Sequence, residues 1–287
     1  MRDMARVTTD YTIDELISVC IARQVTDGDV LAQGIATPLV MAGYLLAKYT
    51  HAPHVSFASA IGNALVDTPC AVGLTRVEEL WLGRALMTFG FAQVACELLP
   101  RFQPKEFFRP AQIDAAGNFN NVAIGADYYH PRMRLPGCGG IADVTTYYER
   151  AIYLYVPRHS RAVFVEQVDF VSGLGHGPAR HHGAGPCYLV SDLGQFDFAA
   201  GRMRLIACHP GVPVERICAK TGFPLEMAPE MRETEPPTVE EVQLLRQVID
   251  PLGIRRLETL SGAARKRALR EILTGEGLST PQRLAQP

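Results

Sequence analysis

Long apolar runs are missing from this sequence. None reaches the roughly 20 residues that a bilayer span requires. The opening stretch, Met1 to Asp10, also has neither the basic segment nor the apolar core of a secretory signal. No membrane attachment is expected, and the cytoplasm is the expected compartment. Excess charge of either sign is missing too. Against 30 acidic residues stand 28 basic ones, a formal net charge of −2, so no general field exists to hold nucleic acid or an anionic membrane. Any phosphate-bearing ligand must be gripped locally. The seven cysteines include no CxxC pair and sit in apolar settings such as Ser18-Val19-Cys20 and Val94-Ala95-Cys96, which argues for reduced core thiols, not disulfides or structural zinc. A Gly-x-Ser-x-Gly elbow and the glycine-rich lysine loop of nucleotide triphosphatases are also absent.

What is present is a chain of 287 residues with 47% hydrophobic content, enough for a full core. Thr12 followed by Glu15 has the form of a capping box before a helix through Arg23. Asp27-Gly28-Asp29 breaks that helix, Val30 to Ala36 is a short strand, and Thr37-Pro38 opens a helix over Leu39 to Tyr49. Val55 to Ile61 is the next buried strand, and Thr75 with Glu78 predicts a helix through Leu86. Phe107 to Ile113 and Val122 to Ile124 are expected strands with Gly117-Asn118 as the turn between them, and Ile141 to Ala151 an expected helix. Strongly β-type runs follow at Ile152 to Val156, Ala162 to Val171, Cys187 to Val190 and Met203 to Cys208. This alternation predicts an α/β open sheet flanked by helices, mostly parallel at first and mixed later. Residues 1–232 form the expected α/β domain. The polar, proline-containing stretch from Glu233 leads into a C-terminal helical appendage over residues 233–287, with helices at Val239 to Val248 and Ala263 to Leu273 and a frayed tail from Gly277.

The most informative local feature is Gly137-Cys138-Gly139-Gly140, directly before a predicted helix. Gly137, Gly139 and Gly140 permit positive φ and close backbone approach, so their amides can meet an anionic oxygen such as a thioester oxyanion or a phosphate. The same glycines would also serve a tight turn with no ligand. Gln112 and Asn121 place side-chain amides at strand ends beside a turn, where amides orient a carbonyl or water but equally satisfy turn backbone. His176, His181 and His182 cluster without a carboxylate or cysteine at zinc-ligand spacing, so no metal is expected. Cys138 has no base near it in the sequence and is the simple spacer between glycines.

Taken together these segments resemble the β subunit of family I coenzyme A transferases, especially the glutaconate transferase branch, from about Thr12 to Glu226. The resemblance is carried by Asp27-Gly28-Asp29 with Gly34 and Pro38, Thr50-His51-Ala52-Pro53, Ala111-Gln112-Ile113-Asp114 with Gly117-Asn118, and Arg134-Leu135-Pro136-Gly137-Cys138-Gly139-Gly140. It continues through Val168-Asp169-Phe170, Ser191-Asp192-Leu193-Gly194 and His209-Pro210-Gly211. The resemblance implies a NagB-like transferase fold, a CoA transferase-like α subunit in a heterodimer or heterotetramer, and coenzyme A arriving as part of the substrate with no tightly bound cofactor. It also implies a nucleophilic glutamate in a Glu-Ser-Gly type sequence. Here that stretch is Phe57-Ala58-Ser59-Ala60-Ile61-Gly62: Ala58 takes the glutamate position, Ser59 the serine, and Val55 to Ala64 holds no acid. A methyl group cannot form the acyl anhydride and glutamyl thioester of transfer.

This loss resembles the divergent branch of bacterial steroid-ring breakdown, which implies a hydrolase opening a cyclic β-diketone CoA thioester with its base on the α subunit. On this chain no catalytic residue is then expected. Gly137, Gly139 and Gly140 would contact the ligand or oxyanion, with Ser59, Gln112 and Asn121 lining the pocket. The alternatives are a true transferase drawing its nucleophile from Glu78 or Glu79, although Glu78 is the capping partner of Thr75, and a non-catalytic scaffold subunit that binds CoA esters.

Overall fold

The computed structural model describes residues 6–33, 37–59, 64–75 and 83–277. Two compact units emerge: the residues up to Phe89 together with those from Pro236 onward, and the residues Gly90–Glu235. The first unit begins with helix α1 (Ile13–Ala22), whose N-terminus is held by the Glu15 carboxylate accepting from the Thr12 N–H at 2.8 Å, as the capping-box spacing predicts. Strand β1 (Val30–Gln33), helix α2 (Pro38–Tyr49) and strand β2 (Ser56–Ser59) form a βαβ unit, with β1 and β2 parallel. Both helices are apolar nearly all round and buried along most of their length, the pattern of core helices. They approach closely at Gly43, where an added Cβ would lie 2.7 Å from Ile21 and from the Ser18 carbonyl. Strands β3 (Ala64–Val66) and β4 (Met87–Thr88) then continue antiparallel.

The expected C-terminal helices are built into this first unit. Helix α5 (Val239–Leu244) runs into a π-type turn at Leu245–Ile249, followed by a 3-10 turn at Ile254–Glu258 and helix α6 (Gly262–Gly275). Arg255 binds three carboxylates of the same unit, Asp14 at 2.9 Å, Glu15 at 2.8 Å and Asp250 at 3.0 Å, with every side chain at most 4% exposed. Glu258 caps the start of α2 by accepting from the Leu39 N–H at 2.9 Å. Among the described residues, those from Pro236 onward belong to one compact unit with the N-terminal helices.

In the second unit, strands β5 (Lys105–Phe108), β10 (Ile152–Val156) and β11 (Pro186–Ser191) are parallel; β12 (Gly194–Ala199) and β13 (Arg202–Cys208) turn antiparallel; and β14 (Glu226–Glu233) lies parallel to β13 at the edge. Their order across the sheet is β14-β13-β12-β11-β10-β5. Two small hairpins leave the sheet, β6 (Gln112–Ile113) with β7 (Phe119–Asn120) and β8 (Ala123–Ile124) with β9 (Met133–Arg134). Helices α3 (Ile141–Tyr147) and α4 (Val214–Lys220) flank it, over a core of Phe108, Phe119, Leu154, Phe164, Leu189 and Phe196. The fold is the expected α/β sheet flanked by helices, parallel in its interior and antiparallel beyond.

Several expected elements differ. The strand over Phe107 to Ile113 splits into β5 and β6 at Arg109-Pro110, where proline offers no N–H to a ladder. Ala162 to Val171 forms no strand: only Phe164, fully buried, bridges to Ile113. The helix from Ile141 ends at Tyr147 because Tyr148 turns extended, at ψ 131°. Residues 83–86 form a turn and bend, not the end of a helix, and residues 76–82 lie outside the described ones. No helix among the described residues is long and apolar enough to cross a membrane.

Candidate active site

The glycine loop rests on a polar network that the second unit builds from the segments around Gln112, Asn121 and Asp169. Its base is the β6–β7 turn. Asp114 accepts from the N–H groups of Ala116 and Asn118 at 3.0 Å each and from the Asn118 side chain at 3.1 Å, while Gly117 takes φ +78°. Burial pushes the Asp114 carboxyl up, against the lowering effect of these bonds. Cross-strand from Asn120 sits Gln112, 5% exposed, and its amide is used at both ends. Its oxygen accepts from the Asn120 side chain at 2.8 Å and the Asp169 N–H at 3.1 Å, and its nitrogen donates to Asp169 at 3.0 Å. Asp169 also accepts from the Gly125 N–H at 2.9 Å, which fixes the start of the β8–β9 hairpin.

Asn121 transmits this order to the loop. Its side-chain oxygen accepts from the Ala111 N–H at 2.9 Å, its own N–H donates to the Ser172 hydroxyl at 2.9 Å, and its carbonyl accepts from the Gly137 N–H at 2.9 Å. Leu135 adds a bond to the Val122 carbonyl at 2.9 Å. Beyond Gly137 the backbone stands clear. Gly137 and Gly139 adopt φ +109° and +50°, Gly140 adopts −82°, and no atom lies within 4 Å of a Cβ built on any of the three. All three are exposed, and the amides of Gly139 and Gly140 have no hydrogen-bond partner among the described residues. Exposed, unspent N–H groups on a loop pinned from beneath can receive an anionic oxygen. Helix α3 has only seven residues, so an anion at this loop would be held by these amides more than by a helix dipole.

Gln112 and Asn121 thus stand under the loop as its supports. Ala58 and Ser59 belong to the first unit, on β2, where Ala58 is half-buried between Ala32 of β1 and Leu65 of β3. The Ser59 side chain, Glu78 and Glu79 lie outside the described residues. Thr75, expected to cap a helix with Glu78, instead donates its N–H at 2.9 Å and its hydroxyl to Glu276. Of the clustered histidines, His176 is half-buried with its Nε2 2.7 Å from the Pro186 carbonyl, and His181 and His182 are exposed. Cys138 is half-buried between its glycines.

Two buried histidines are given no role by the sequence reading: His209, which opens the His209-Pro210-Gly211 segment, and His159, which lies outside the segments that carry the resemblance but bonds to Ser191 of one of them. His159 reaches Ser191 at 3.1 Å and Thr221 at 3.0 Å and stacks on Phe164 at 3.6 Å between ring centroids, while burial lowers its pKa to about 3. His209 reaches Thr234 at 2.9 Å and the Ser191 carbonyl at 2.8 Å, and burial lowers its pKa to about 4. Both therefore stay neutral and act as hydrogen-bonding struts. Glu106 on β5 gives no signal in the sequence either; burial raises its pKa to about 7. The Tyr148 hydroxyl is buried without a hydrogen-bond partner among the described residues, and burial first and Glu106 second raise its pKa.

The second unit is thus an open α/β sheet that carries a supported loop of bare amides, and in the first unit the stretch from Val55 to Ala64 holds no acid. Known proteins place the chain more closely. Residues 106–220 match the family described as Coenzyme A transferase. The β subunit of the glutaconate CoA-transferase of Acidaminococcus fermentans is 31% identical over 263 residues, spanning 85% of this chain and 94% of that one. The cholesterol ring-cleaving hydrolase IpdB subunit of Rhodococcus jostii is 28% identical, spanning 89% and 99%. Among solved structures, the decarboxylase AibA/AibB superposes with a TM-score of 0.72 at 32% identity, over 86% of this chain and 98% of that one. The chain belongs to the coenzyme A transferase family.

Proposed function

We propose that this chain is the β subunit of a two-chain cytoplasmic enzyme that opens a cyclic β-diketone, carried as a CoA thioester, by hydrolytic carbon–carbon cleavage in steroid-ring catabolism. Coenzyme A enters as part of the substrate. The observation that carries the reading is the alanine at position 58, with no acid anywhere from Val55 to Ala64. Acyl transfer through an anhydride needs a carboxylate nucleophile. Cleavage of a 1,3-dicarbonyl needs only a positioned water and a site for the departing enolate's charge, which bare amides can supply. The base then comes from an α-type companion chain. Similarity to the ring-cleaving IpdB subunit supports this reading, and the decarboxylase AibA/AibB is a relative whose described chemistry differs from CoA transfer.

The test is to purify the chain with its α-type companion and supply CoA thioesters. Water-dependent ring opening is the expected outcome. Exchange of CoA onto a free acid, or mass detection on this chain of the glutamyl hydroxamate or alcohol that hydroxylamine or borohydride leaves when it displaces CoA from a glutamyl-CoA thioester, establishes a transferase instead. Release of carbon dioxide without ring opening assigns a decarboxylase, and binding with no turnover a scaffold.

A further inference from the structure

The segment that carries the three clustered histidines lies against the C-terminal end of helix α3. Leu174 donates its N–H to the Thr145 hydroxyl at 3.0 Å, Ala184 donates to the Glu149 carbonyl at 3.2 Å, and a Cβ at Gly183 would collide with the Tyr148 carbonyl. Among these contacts sits Arg180, half-buried, whose guanidinium donates to four backbone carbonyls. Its Nε bonds to Gly175 at 2.9 Å, one terminal nitrogen to His182 at 2.8 Å, and the other to Thr145 at 2.9 Å and to Leu174. A planar fork of five donors suits such a bracket between backbone segments. An arginine that only closed its own loop would stop at Gly175, His182 and Leu174, but the bond to Thr145 reaches an element 35 residues away. The Thr145 carbonyl lies in the last turn of α3, where carbonyls have no intrahelical donor, and Glu149 spends its N–H on the Gln103 side chain at 3.2 Å. Arg180 therefore caps the end of this helix.

We propose that Arg180 is a positioning residue for the glycine loop: by fastening residues 174–185 to the end of α3, it sets where the amides of Gly139 and Gly140 stand. This role rests on the proposed use of those amides as an oxyanion site and adds what holds them in place. Two links join the arginine to the loop. The Thr145 hydroxyl that accepts from Leu174 donates in turn to the Ile141 carbonyl at 2.8 Å, one residue past Gly140. The Gly140 carbonyl accepts from the Val144 N–H at 2.9 Å, so α3 is a short rod of about 10 Å with the glycine amides at one end and Arg180 at the other. Asn121 pins the near side of the loop through the Gly137 N–H, and Arg180 holds the far side. Fixed donors stabilise developing charge only where that charge appears, and a shift of about 1 Å can cost roughly a hundredfold in rate.

The experiment compares the wild type, Arg180→Ala and Arg180→Lys, each in complex with the companion chain, by ring-opening kinetics with and without guanidinium chloride and by amide hydrogen exchange. In Arg180→Ala, kcat is expected to fall roughly tenfold to a hundredfold with KM nearly unchanged. Added guanidinium restores much of that loss and leaves the wild type unaffected, whereas Arg180→Lys recovers less because an ammonium cannot span four carbonyls. Exchange at the Ile141 and Val144 amides quickens in Arg180→Ala, while that at Leu205 in β13 keeps its rate. Wild-type kcat in Arg180→Ala overturns the inference. A loss of kcat that tracks the thermal midpoint and does not respond to guanidinium also overturns it, since the arginine then serves folding alone. If Arg180→Ala does not fold, Arg180→Lys decides: lowered kcat at unchanged KM supports the role and full turnover refutes it. A wild-type complex that opens no ring sinks the hydrolase reading, and hydrogen exchange then decides by itself, with unchanged rates at Ile141 and Val144 refuting the role and faster ones supporting it.

Discussion

Gly137, Gly139 and Gly140 occupy three different backbone situations, and the difference decides how the loop can be probed. At φ +109° and +50°, Gly137 and Gly139 hold conformations that L residues adopt at a cost of about 1–3 kcal/mol, so a side chain there perturbs the loop as well as the surface. Gly140 has an ordinary φ of −82°, open space around its missing Cβ, and the N-cap position of α3. Serine suits an N-cap as well as or better than glycine. Gly140→Ser is therefore expected to keep the thermal midpoint while lowering ring-opening turnover at least tenfold by filling the approach to the free amides. Unchanged turnover in that variant removes Gly140 from the site. Gly139→Val, which places a β-branched residue at positive φ, would abolish turnover for two reasons that no assay of activity separates.

At the scale of elements, the polar segments under the loop are legible in the sequence as a set but not in their roles. Gln112 stands out because turn chemistry does not explain a glutamine, and its partner Asp169 lies in another segment that carries the resemblance, yet their bonds join residues 57 apart and no local rule foresees them. Ala162 to Val171 has the composition of a strand but serves to seat Phe164, a plug, because packing outweighs β propensity. Strand β14 is hidden for the opposite reason. It contains Pro229, tolerable only at the sheet edge it occupies, and its ladder slips so that Leu205 pairs with Met227 but Ala207 with Arg232. The C-terminal helices are recognisable as helices, but their attachment depends on Arg255, whose three acidic partners are spread from Asp14 to Asp250. Removing this arginine leaves the buried Asp14 and Asp250 without their counter-charge, while Glu15 keeps Arg246 at 2.8 Å. Arg255→Met is expected to destabilise the chain by about 3–5 kcal/mol in urea unfolding. Burial already raises the Asp14 pKa, so Asp14→Asn should cost much less, and equal losses would show that the cluster is not organised around Arg255.

For the molecule as a whole, the balance of buried titratable groups sets how stability depends on pH. His159 and His209 have folded pKa values of about 3 and about 4, well below the ordinary 6.5. When the pH falls below 6.5, the unfolded chain takes up protons at these rings and the folded chain does not. Stability conferred by their neutral burial is thus present above pH 6.5 and lost on acidification, at about 1.4 kcal/mol per pH unit for each ring until its folded pKa is reached. Glu106 acts in the other direction. Its folded pKa of about 7 lies above the ordinary carboxylate value, so between about pH 4.5 and 7 the folded state binds the extra proton and stability falls as pH rises. Two histidines outweigh one glutamate, and the thermal midpoint is expected to drop between pH 7 and pH 5.5. Ring resonances in NMR spectra isolate the cause: neither His159 nor His209 should titrate above pH 5. A midpoint near 6.5 at either buried ring would mean that water reaches the struts beneath Ser191, and the acid sensitivity would then need another source.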